Sequence, residues 1–532
     1  LETEGWKRTL SKINQLKAND KSFKHFDWKL DFPEVLNPLA TTNTGFDIVI
    51  GNPPYIQIKW LSDKDSLSKV GYKSFSSSGD VYCLFYEEAN ELMKSFCIGI
   101  FITSNKWMRA SYGKKLRKYL TTNANPKKLI DFGGNKIFDT ATVDTNILLW
   151  SKEDYLKPTQ SVLVENNFNV KSDLGTYISS KQETYKFKGD NSWLLLSDLE
   201  LKLKHKIESR YTVIKKHNLN LYYGILTGAN KTFIINENTR RRLIQLSHEN
   251  DKLIVPILRG KDLDNYGYNF ANYYLLNIHN GTKSQRRVQL ENDFPTIIDY
   301  LNEFGIPFRN RGEQGSEWYN LRSCSYLDEF SKPKIIYADI VQERGKFYYD
   351  EKNFYTNDTA FIITGDNLKA NTLVFNSTLF SYLYKKFYSG GGLGNSGLRF
   401  KKEFIEKIPL PNIEGNKKDI YETILDYIFS TKQAISRNLP EQFQLVSQNF
   451  EEVVDALVFE LYFSKEFKSK DIEIEKYAKK LFTPIKGLSD EEKLEQIKSV
   501  YEELREKKNP LRNQIKLMKI ELKDLLLPIL SV

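Results

Sequence analysis

Four consecutive residues, Asn52-Pro53-Pro54-Tyr55, close an apolar run that begins at Phe46. Two prolines fix the backbone of such a corner, so its carbonyl oxygens point in set directions. The Asn side-chain oxygen is another acceptor. Two acceptors held side by side can grip both hydrogens of a planar NH2 group, and Tyr55 can stack on the flat ring that bears it. An exocyclic amine on a base is a poor nucleophile, because its lone pair is delocalised into the ring. Acceptors on both hydrogens draw the nitrogen toward a pyramidal geometry and localise that pair for attack on an electrophilic methyl group. Chemistry of this kind rests on positioning and electrostatics and requires no carboxylate base. Asn-Pro and Pro-Pro are also ordinary turn formers. The placement favours the chemical reading, because ligands of open α/β sheets bind beyond the carboxyl ends of the strands.

The surrounding pattern supplies such strands. "FDIVIGN" (Phe46 to Asn52) predicts a strand ending in a turn. Val81, Leu84, Phe85, Ala89, Leu92 and Phe96 recur at helical spacing, with Asp80 as a possible cap. "CIGIFITSN" predicts a second strand, "SYGKKLRKYL" a basic helix, and "KKLIDFGG" and "TNILLW" two more strands. The β-α-β-α-β order over 46–150 indicates an α/β sheet covered on both faces. A helix is expected from Trp6 to Leu16. A polar linker follows residue 150. Short β-rich runs, such as "KPKIIYADI", fill the stretch from about 190 to 415, and the chain turns helical after Pro411.

The chain carries 78 Lys and Arg against 68 Asp and Glu, a formal charge of +10, which favours a polyanionic partner. Its 31 Tyr and 33 Phe are interleaved with basic residues, a mixture suited to nucleic acid as well as to core. Cys83, Cys97 and Cys324 form no metal-ligand spacing, so no metal and no disulfide framework are expected, and a reducing cytoplasm fits. The longest apolar run, Cys97 to Ile102, is too short to span a bilayer, and no signal peptide is recognised.

The corner resembles motif IV, (D/N/S)PP(Y/F), of the amino-methyltransferases that use S-adenosylmethionine. "FDWKLDFPEVL" (Phe26 to Leu36) followed by "GFDIVIGNPPYIQ" resembles the large adenine-specific DNA methyltransferases of the TaqI-like, type IIG restriction-modification group. "GDVYCLFYEEA" (Gly79 to Ala89) resembles their motif V. "GIFITSNKWMRASYGKKLRKYL" (Gly99 to Leu120) resembles motifs VI and VII, and "IFDTATVDTNILL" (Ile137 to Leu149) motif VIII. The resemblance implies that Asn52 and the Pro53 carbonyl hold the adenine amine, with Pro54 completing the catalytic corner. It implies that Tyr55 stacks on a base flipped out of the duplex, with Phe138 as a second contact. Asp80, within motif V, is a candidate cofactor contact.

"YYGILTGANKTFIIN" (Tyr222 to Asn236), "IVPILRGKDLDNY", "SEWYNLRSC", "KPKIIYADI" and the stretch Phe375 to Pro411 resemble, in this order, the target-recognition domain of the same enzymes. Lys231, Arg259, Lys261, Trp318, Arg322, Arg399, Lys401 and Lys402 are the candidate DNA contacts. "SGGGLGNSG" (Ser389 to Gly397) is read as a loop that closes on DNA. The implied architecture is α/β. Residues 1–165 form the C-terminal part of a Rossmann-like S-adenosylmethionine-dependent methyltransferase sheet. Residues 166–415 form an α+β DNA target-recognition domain, and residues 416–532 a helical C-terminal region.

Two departures qualify the expected function. The Gly-rich loop of motif I and the acidic residue for the cofactor ribose are not found in residues 1–51, so the main cofactor loop is expected upstream, in an N-terminal half or a separate subunit. A chain that opens on Leu reads as the continuation of something longer. No nuclease motif is found beyond a chance "ExK" at Glu466 to Lys468, and Mg2+ is expected only where a nuclease domain lies upstream. The leading expectation is a site-specific DNA adenine methyltransferase fragment of a bacterial or archaeal restriction-modification enzyme, acting on double-stranded DNA and inactive alone. A DNA-specificity module serving another subunit, a phage-defence (PglX-type) methyltransferase and a protein glutamine methyltransferase remain as alternatives.

Overall fold

β-Branched residues dominate the run that becomes strand β1, Phe46–Gly51, and only a glycine fits its start. Gly45 holds φ +123°, and a Cβ there would lie 2.6 Å from the Lys94 amide nitrogen. The computed structural model describes residues 26–38, 43–138, 143–165, 168, 173–282, 284–390, 397–436 and 442–530. The expected helix from Trp6 to Leu16 and most of the glycine loop (391–396) lie outside them. The chain divides into two compact units, residues 1–195 and 196–532.

In the first unit, helix α1 (Tyr82–Leu92) leads directly into β2 (Met93–Ser104). Helix α2 (Lys114–Thr122), β3 (Asn125–Asp131), β4 (Thr145–Ser151), β5 (Thr159–Leu163), α3 (Leu174–Lys181) and β6 (Glu183–Tyr185) follow. The sheet runs β1-β2-β4-β3-β5-β6. β1 is parallel to β2 and β3 to β5, while β4 runs antiparallel to both β2 and β3. β1, β2, β3 and β5 therefore point the same way, and their carboxyl ends share one edge with the Asn52–Tyr55 corner.

Two sequence expectations are corrected. The helix stops at Leu92, not Phe96, because the chain enters the long β2 ladder at Met93. Phe96 sits at φ +65° and is exposed. Asp80 does not cap the helix: Val81 occupies the N-cap position in a helical conformation, and the Asp80 carboxylate accepts instead from the Tyr112 hydroxyl at 3.2 Å.

One sheet face carries the buried aromatic core of Tyr86, Phe101, Trp107, Trp150 and Trp193, covered by α1 and α2. The rings of Tyr86, Phe101 and Trp150 stand 5.1 Å apart pairwise. Gly99 makes this packing possible, since a Cβ there would meet the Trp150 ring at 2.3 Å. The other face is covered at the β3–β5 end, where Ile130, Phe132, Val162 and Val164 pack with Ile178 of α3. At the β1–β2 end it is not covered among the described residues. Ile48 and Ile50 are 65% and 75% exposed, and they pair in register with Ile98 and Ile100. The expectation of a sheet covered on both faces thus holds for only part of this one.

The second unit is built on an antiparallel sheet of Phe347–Asp350, Lys334–Ala338, Ala360–Gly365 and Leu219–Tyr223, in that order. Tyr223, Phe361, Tyr337 and Phe347 are register partners across it and form a ladder of rings 5.1 Å apart. Much of the aromatic excess is therefore core. "KPKIIYADI" supplies one of these strands, as its pattern predicts. "YYGILTGANKTFIIN" differs from a plain strand-turn-strand: a short helix, Asn230–Phe233, precedes the strand Ile234–Asn236. Helices Asn416–Ser436, Gln442–Tyr462, Asp490–Arg505 and Pro510–Glu521 form the helical region of the same unit. No helix among the described residues is long and apolar enough to cross a membrane.

Two charge clusters pin this unit. Lys334 and Asp350 are fully buried, with Nζ and Oδ2 2.6 Å apart. Asp350 also accepts from the Lys352 and Phe354 amides, and Lys334 donates to the Phe330 carbonyl. Removal of one partner leaves a buried charge uncompensated, so Asp350→Ala should lose about 3–5 kcal/mol in urea denaturation, and Lys334→Met/Asp350→Leu should recover most of it. Glu466, the acid of the chance "ExK", receives Arg210 at 2.8 and 2.9 Å and Lys206 at 2.8 Å. Burial pushes its carboxyl up, but these hydrogen bonds overcome that and hold it down at about 2. The stabilisation is complete above the unfolded carboxyl range and is lost as pH falls through about 2. Glu466→Gln should therefore cost about 1–2 kcal/mol at pH 7, and the difference from wild type should shrink in unfolding measured at pH 3.

Candidate active site and nucleic-acid interface

The corner is fixed from both sides. Upstream, Gly51 pairs with Phe101, and the Phe101 ring would lie 3.1 Å from any Cβ at Gly51. Downstream, the Ile58 amide donates to the Gly79 carbonyl at 2.9 Å and the Val81 amide to the Ile56 carbonyl at 2.8 Å. Ile58 is fully buried. Between these anchors Pro53 is buried, Tyr55 half-buried, and Asn52 and Pro54 exposed. The Tyr55 hydroxyl donates to Asn52 Oδ1 at 3.0 Å, which orients the amide. An amide oxygen has two lone pairs, so one stays open. No hydrogen bond reaches the Pro53 carbonyl among the described residues.

Behind the corner stands a layer of hydroxyls. Tyr55 meets the Tyr82 ring edge to face at 6.0 Å, and the Tyr82 and Tyr112 hydroxyls lie 2.8 Å apart. Tyr112 continues to Asp80, so the helix start, the 111–113 turn and the chain leaving the corner are tied together. Burial raises the Asp80 carboxyl above its usual range, while Tyr112 and Lys106 pull it back. Burial also raises the Tyr55 phenol, so it remains a neutral donor. Tyr86, Thr103 and Asn146 form a second chain at 2.9 Å per link across β2 and β4. Phe138 is half-buried in the connection from β3 to β4, on the same sheet edge, and makes no ring contact among the described residues.

Beside the free edge of β1 lies an apolar groove of about 560 Å3. Val49, Pro53, Pro54, Val81, Leu84 and Phe85 contribute to its wall. Phe85, 41% exposed, offers a free aromatic surface on a helix whose neighbours Leu84 and Tyr86 are buried. A flat apolar ring next to the corner fits there. The described residues of this wall include no glycine-rich phosphate-type loop. Asp80 does not line the groove, since its carboxylate is turned to Tyr112. In the sequence Val81, Leu84 and Phe85 stand out only by their helical spacing, which does not separate a buried position from a groove wall.

In the second unit the candidate DNA residues fall into three neighbourhoods. Lys231 is exposed beside Phe233, which leads through Phe308 to Trp318, with Arg309 4.4 Å above the Trp318 ring. Arg322 pairs with Glu313 at 2.7 Å, and Lys402 reaches the Tyr222 ring at 6.0 Å, where Tyr222 stacks on Tyr326. Arg259, Lys261, Arg399 and Lys401 meet around Thr359 and Asp339. Arg259 is committed: it makes two 2.8 Å bonds to Asp262, lies 4.0 Å over Tyr273, and is 15% exposed. Its position is that of a turn-fixing group, while Lys261 and Lys401 are exposed.

Comparison with known proteins gives both units relatives. Residues 2–138 match the Eco57I restriction-modification methylase family, and residues 255–410 match the TaqI-like C-terminal specificity domain. The type II methyltransferase M.BstVI of Geobacillus stearothermophilus is 23% identical, over 77% of this chain and 76% of its own length. The type II restriction enzyme and methyltransferase RM.Eco57I of Escherichia coli is 23% identical over 84% of this chain, which spans 47% of that longer protein. Among solved structures, the type IIL restriction-modification enzyme MmeI, determined in complex with DNA, superposes with a TM-score of 0.51 at 12% identity, covering 89% of this chain and 58% of that one. The fold is thus shared with MmeI, and the chain is similar, through an Eco57I-type methylase segment followed by a TaqI-like specificity segment, to the methyltransferases of type II restriction-modification systems.

Proposed function

We propose that this chain carries the target-base pocket and the sequence-recognition part of a site-specific DNA adenine methyltransferase of a type II (IIG) restriction-modification system. One observation carries the proposal. Asn52 Oδ1, with a lone pair to spare, and the unengaged Pro53 carbonyl stand at the carboxyl end of a parallel strand, beside an aromatic ring and an apolar groove. The adenine N6 amine gives one hydrogen bond to each oxygen. The nitrogen is held pyramidal, with its lone pair turned toward the groove side. Tyr55 stacks on the base and Phe138 bounds the pocket, which requires the base to leave the duplex stack. The N6 lone pair forms the new N–C bond, the methyl–sulfur bond of the donor breaks, and the N6 proton passes to solvent.

S-Adenosylmethionine, when bound, supplies the electrophilic methyl group. Pro53, Pro54, Val81, Leu84 and Phe85 would hold its flat ring, with Asp80 as a more distant candidate. The remaining wall is assigned to an upstream polypeptide segment, in the same chain or as a separate subunit. That segment would also cover Ile48 and Ile50, because parallel strands are stable with both faces buried. Lys231, Lys261, Trp318, Arg322, Arg399, Lys401 and Lys402 form the DNA-facing set of the second unit. The three free thiols fit a reducing cytoplasm. The second reading, a specificity module that binds DNA for another subunit, is favoured by the exposed β1 edge and is what the chain would be without that segment.

The test is methylation of plasmid DNA by the protein in its native gene context, mapped by modification-sensitive sequencing. Asn52→Ala should abolish methylation and leave duplex retention unchanged. Tyr55→Ala should lower the rate about 5- to 150-fold through lost stacking, whereas Tyr55→Phe, which keeps the ring and frees the Asn52 amide, should fall less, by about 2- to 10-fold. Methylation that survives in Asn52→Ala would overturn the assignment of the corner. Ile48→Lys/Ile50→Lys should leave the isolated chain folded and more soluble, yet abolish methylation in the complete protein; an active double variant would show that nothing packs on that face.

A further inference from the structure

Asp339 sits at a bend between the strand Lys334–Ala338 and a two-stranded antiparallel ribbon in which Ile340 pairs with Arg399 and Val341 with Leu398. The backbone beneath is rigid. The Asp339 amide donates to the Thr359 carbonyl at 3.0 Å, and the Asp339 carbonyl accepts from the Phe400 amide at 2.7 Å. Tyr384 stacks on Phe400 at 4.0 Å, and its hydroxyl bonds the Arg399 carbonyl. Gly397, at φ +100°, lets the ribbon close, since a Cβ there would lie 2.1 Å from the Val341 oxygen.

On this rigid base the two side chains are left unsaturated. The Arg399 side chain is 46% exposed, and its guanidinium makes no hydrogen bond among the described residues; its Nε is 3.9 Å from Asp339 Oδ2. The Asp339 side chain is 15% exposed, and its buried Oδ1 has no hydrogen-bond partner among the described residues. Burial raises this carboxyl, and Arg399 and Lys401 pull it back. Arg259 and Arg322 contrast with this, each closed on its own carboxylate at 2.8 and 2.7 Å.

We propose that Arg399 reads a guanine of the recognised duplex through its free guanidinium donors, and that Asp339 is the positioning residue that holds the guanidinium plane. The inference rests on the reading of the second unit as a DNA-specificity portion. A two-stranded ribbon is among the elements that enter the major groove, where arginine pairs with guanine O6 and N7. A carboxylate beside the arginine argues against a phosphate clamp, since it repels the phosphate, whereas it leaves a neutral base edge undisturbed. Ile340, opposite Arg399 and 48% exposed, adds an apolar contact beside the arginine.

The experiment is selection from a randomised duplex pool by the intact 532-residue chain, followed by sequencing of the retained DNA. It requires no methyl transfer. Wild type should enrich a motif containing a guanine whose discrimination falls about 10- to 100-fold in Arg399→Ala, with the remaining positions unchanged. Arg399→Lys should keep overall affinity without restoring that preference, and Asp339→Asn should relax the same position and no other. Even weakening of all sequences in Arg399→Ala, with a shallower salt dependence, would mark a phosphate contact and overturn the inference. An unchanged motif, or a different position relaxed in Asp339→Asn, would overturn it too while leaving the specificity reading intact. A wild-type chain that enriches no motif would overturn both. Unchanged melting of each variant separates these outcomes from misfolding.

Discussion

The chemistry proposed for the corner at 52–55 depends on the immobilised backbone on both sides of it. Gripping an NH2 group demands two oxygens at fixed separation, and an error of an ångström removes most of the benefit. Proline stiffness alone does not supply this, since it fixes a local dihedral and leaves the corner free to swing as a unit. The swing is stopped by the β1–β2 ladder before Gly51 and by the paired bonds from Ile58 to Gly79 and from Val81 to Ile56 after it. Tyr55 then fixes the last freedom, the rotation of the Asn52 amide. The buried hydroxyls of Tyr82 and Tyr112 extend this bracing to α1 and to the turn before α2.

A net positive charge says little about which cations meet a partner. In the second unit many are spent on the fold: Arg210 on Glu466, Arg259 on Asp262, and Lys334 in a buried pair. Arg311 is half-buried against Phe233 and Phe308 and donates to the carbonyls of Trp318 and Asn320, so it shapes the loop that presents Trp318 and Arg322. Exposure and donors left open among the described residues, not charge, pick out the groups proposed to meet DNA, and Arg399 and Lys401 meet that test where Arg259 does not.

The corner was legible as a stiff, polar strand end because it is local. Four consecutive residues carry it, and a β-branched run before them announces the strand that presents it. The alternation of strands and helices over 46–150 was legible for the same reason, down to β1, β3 and β4. The end of α1 was not, because Leu92 and Phe96 continue the helical period while β2 pairing claims the chain from Met93. The exposure of Phe85 beside the groove was hidden, since an apolar helix position reads as core whether or not anything lies over it. The pairing of Arg259 with Asp262 was hidden for a related reason: a cation beside glycine and aromatics looks the same in sequence whether its partner is a phosphate or a carboxylate. The open carboxylate of Asp339 gave no signal at all, because it arises from a strand bend and from contacts with Thr359, Arg399 and Phe400.

The uncovered part of the first sheet connects these observations. A parallel pair presents two apolar faces, and here one face of β1 and β2 carries Ile48, Ile50, Ile98, Ile100 and Ile102 without the helices that cover the opposite side. The outer edge of β1 is unpaired among the described residues, and the groove beside that edge is lined by α1, the corner, Val49 and Ile50 of β1, and Trp28, Leu67 and Tyr72. A ligand in the groove would reach Ile50 and leave Ile48 wet, and a helix docked on the isoleucines would leave the edge unpaired. A single α/β segment that adds a strand beside β1 satisfies all three: it pairs the edge, lays a helix over the isoleucine face and closes the second wall of the groove next to Asn52. Under the proposed function, completion of the sheet and completion of the cofactor site would be the same event, because one contact surface would serve both.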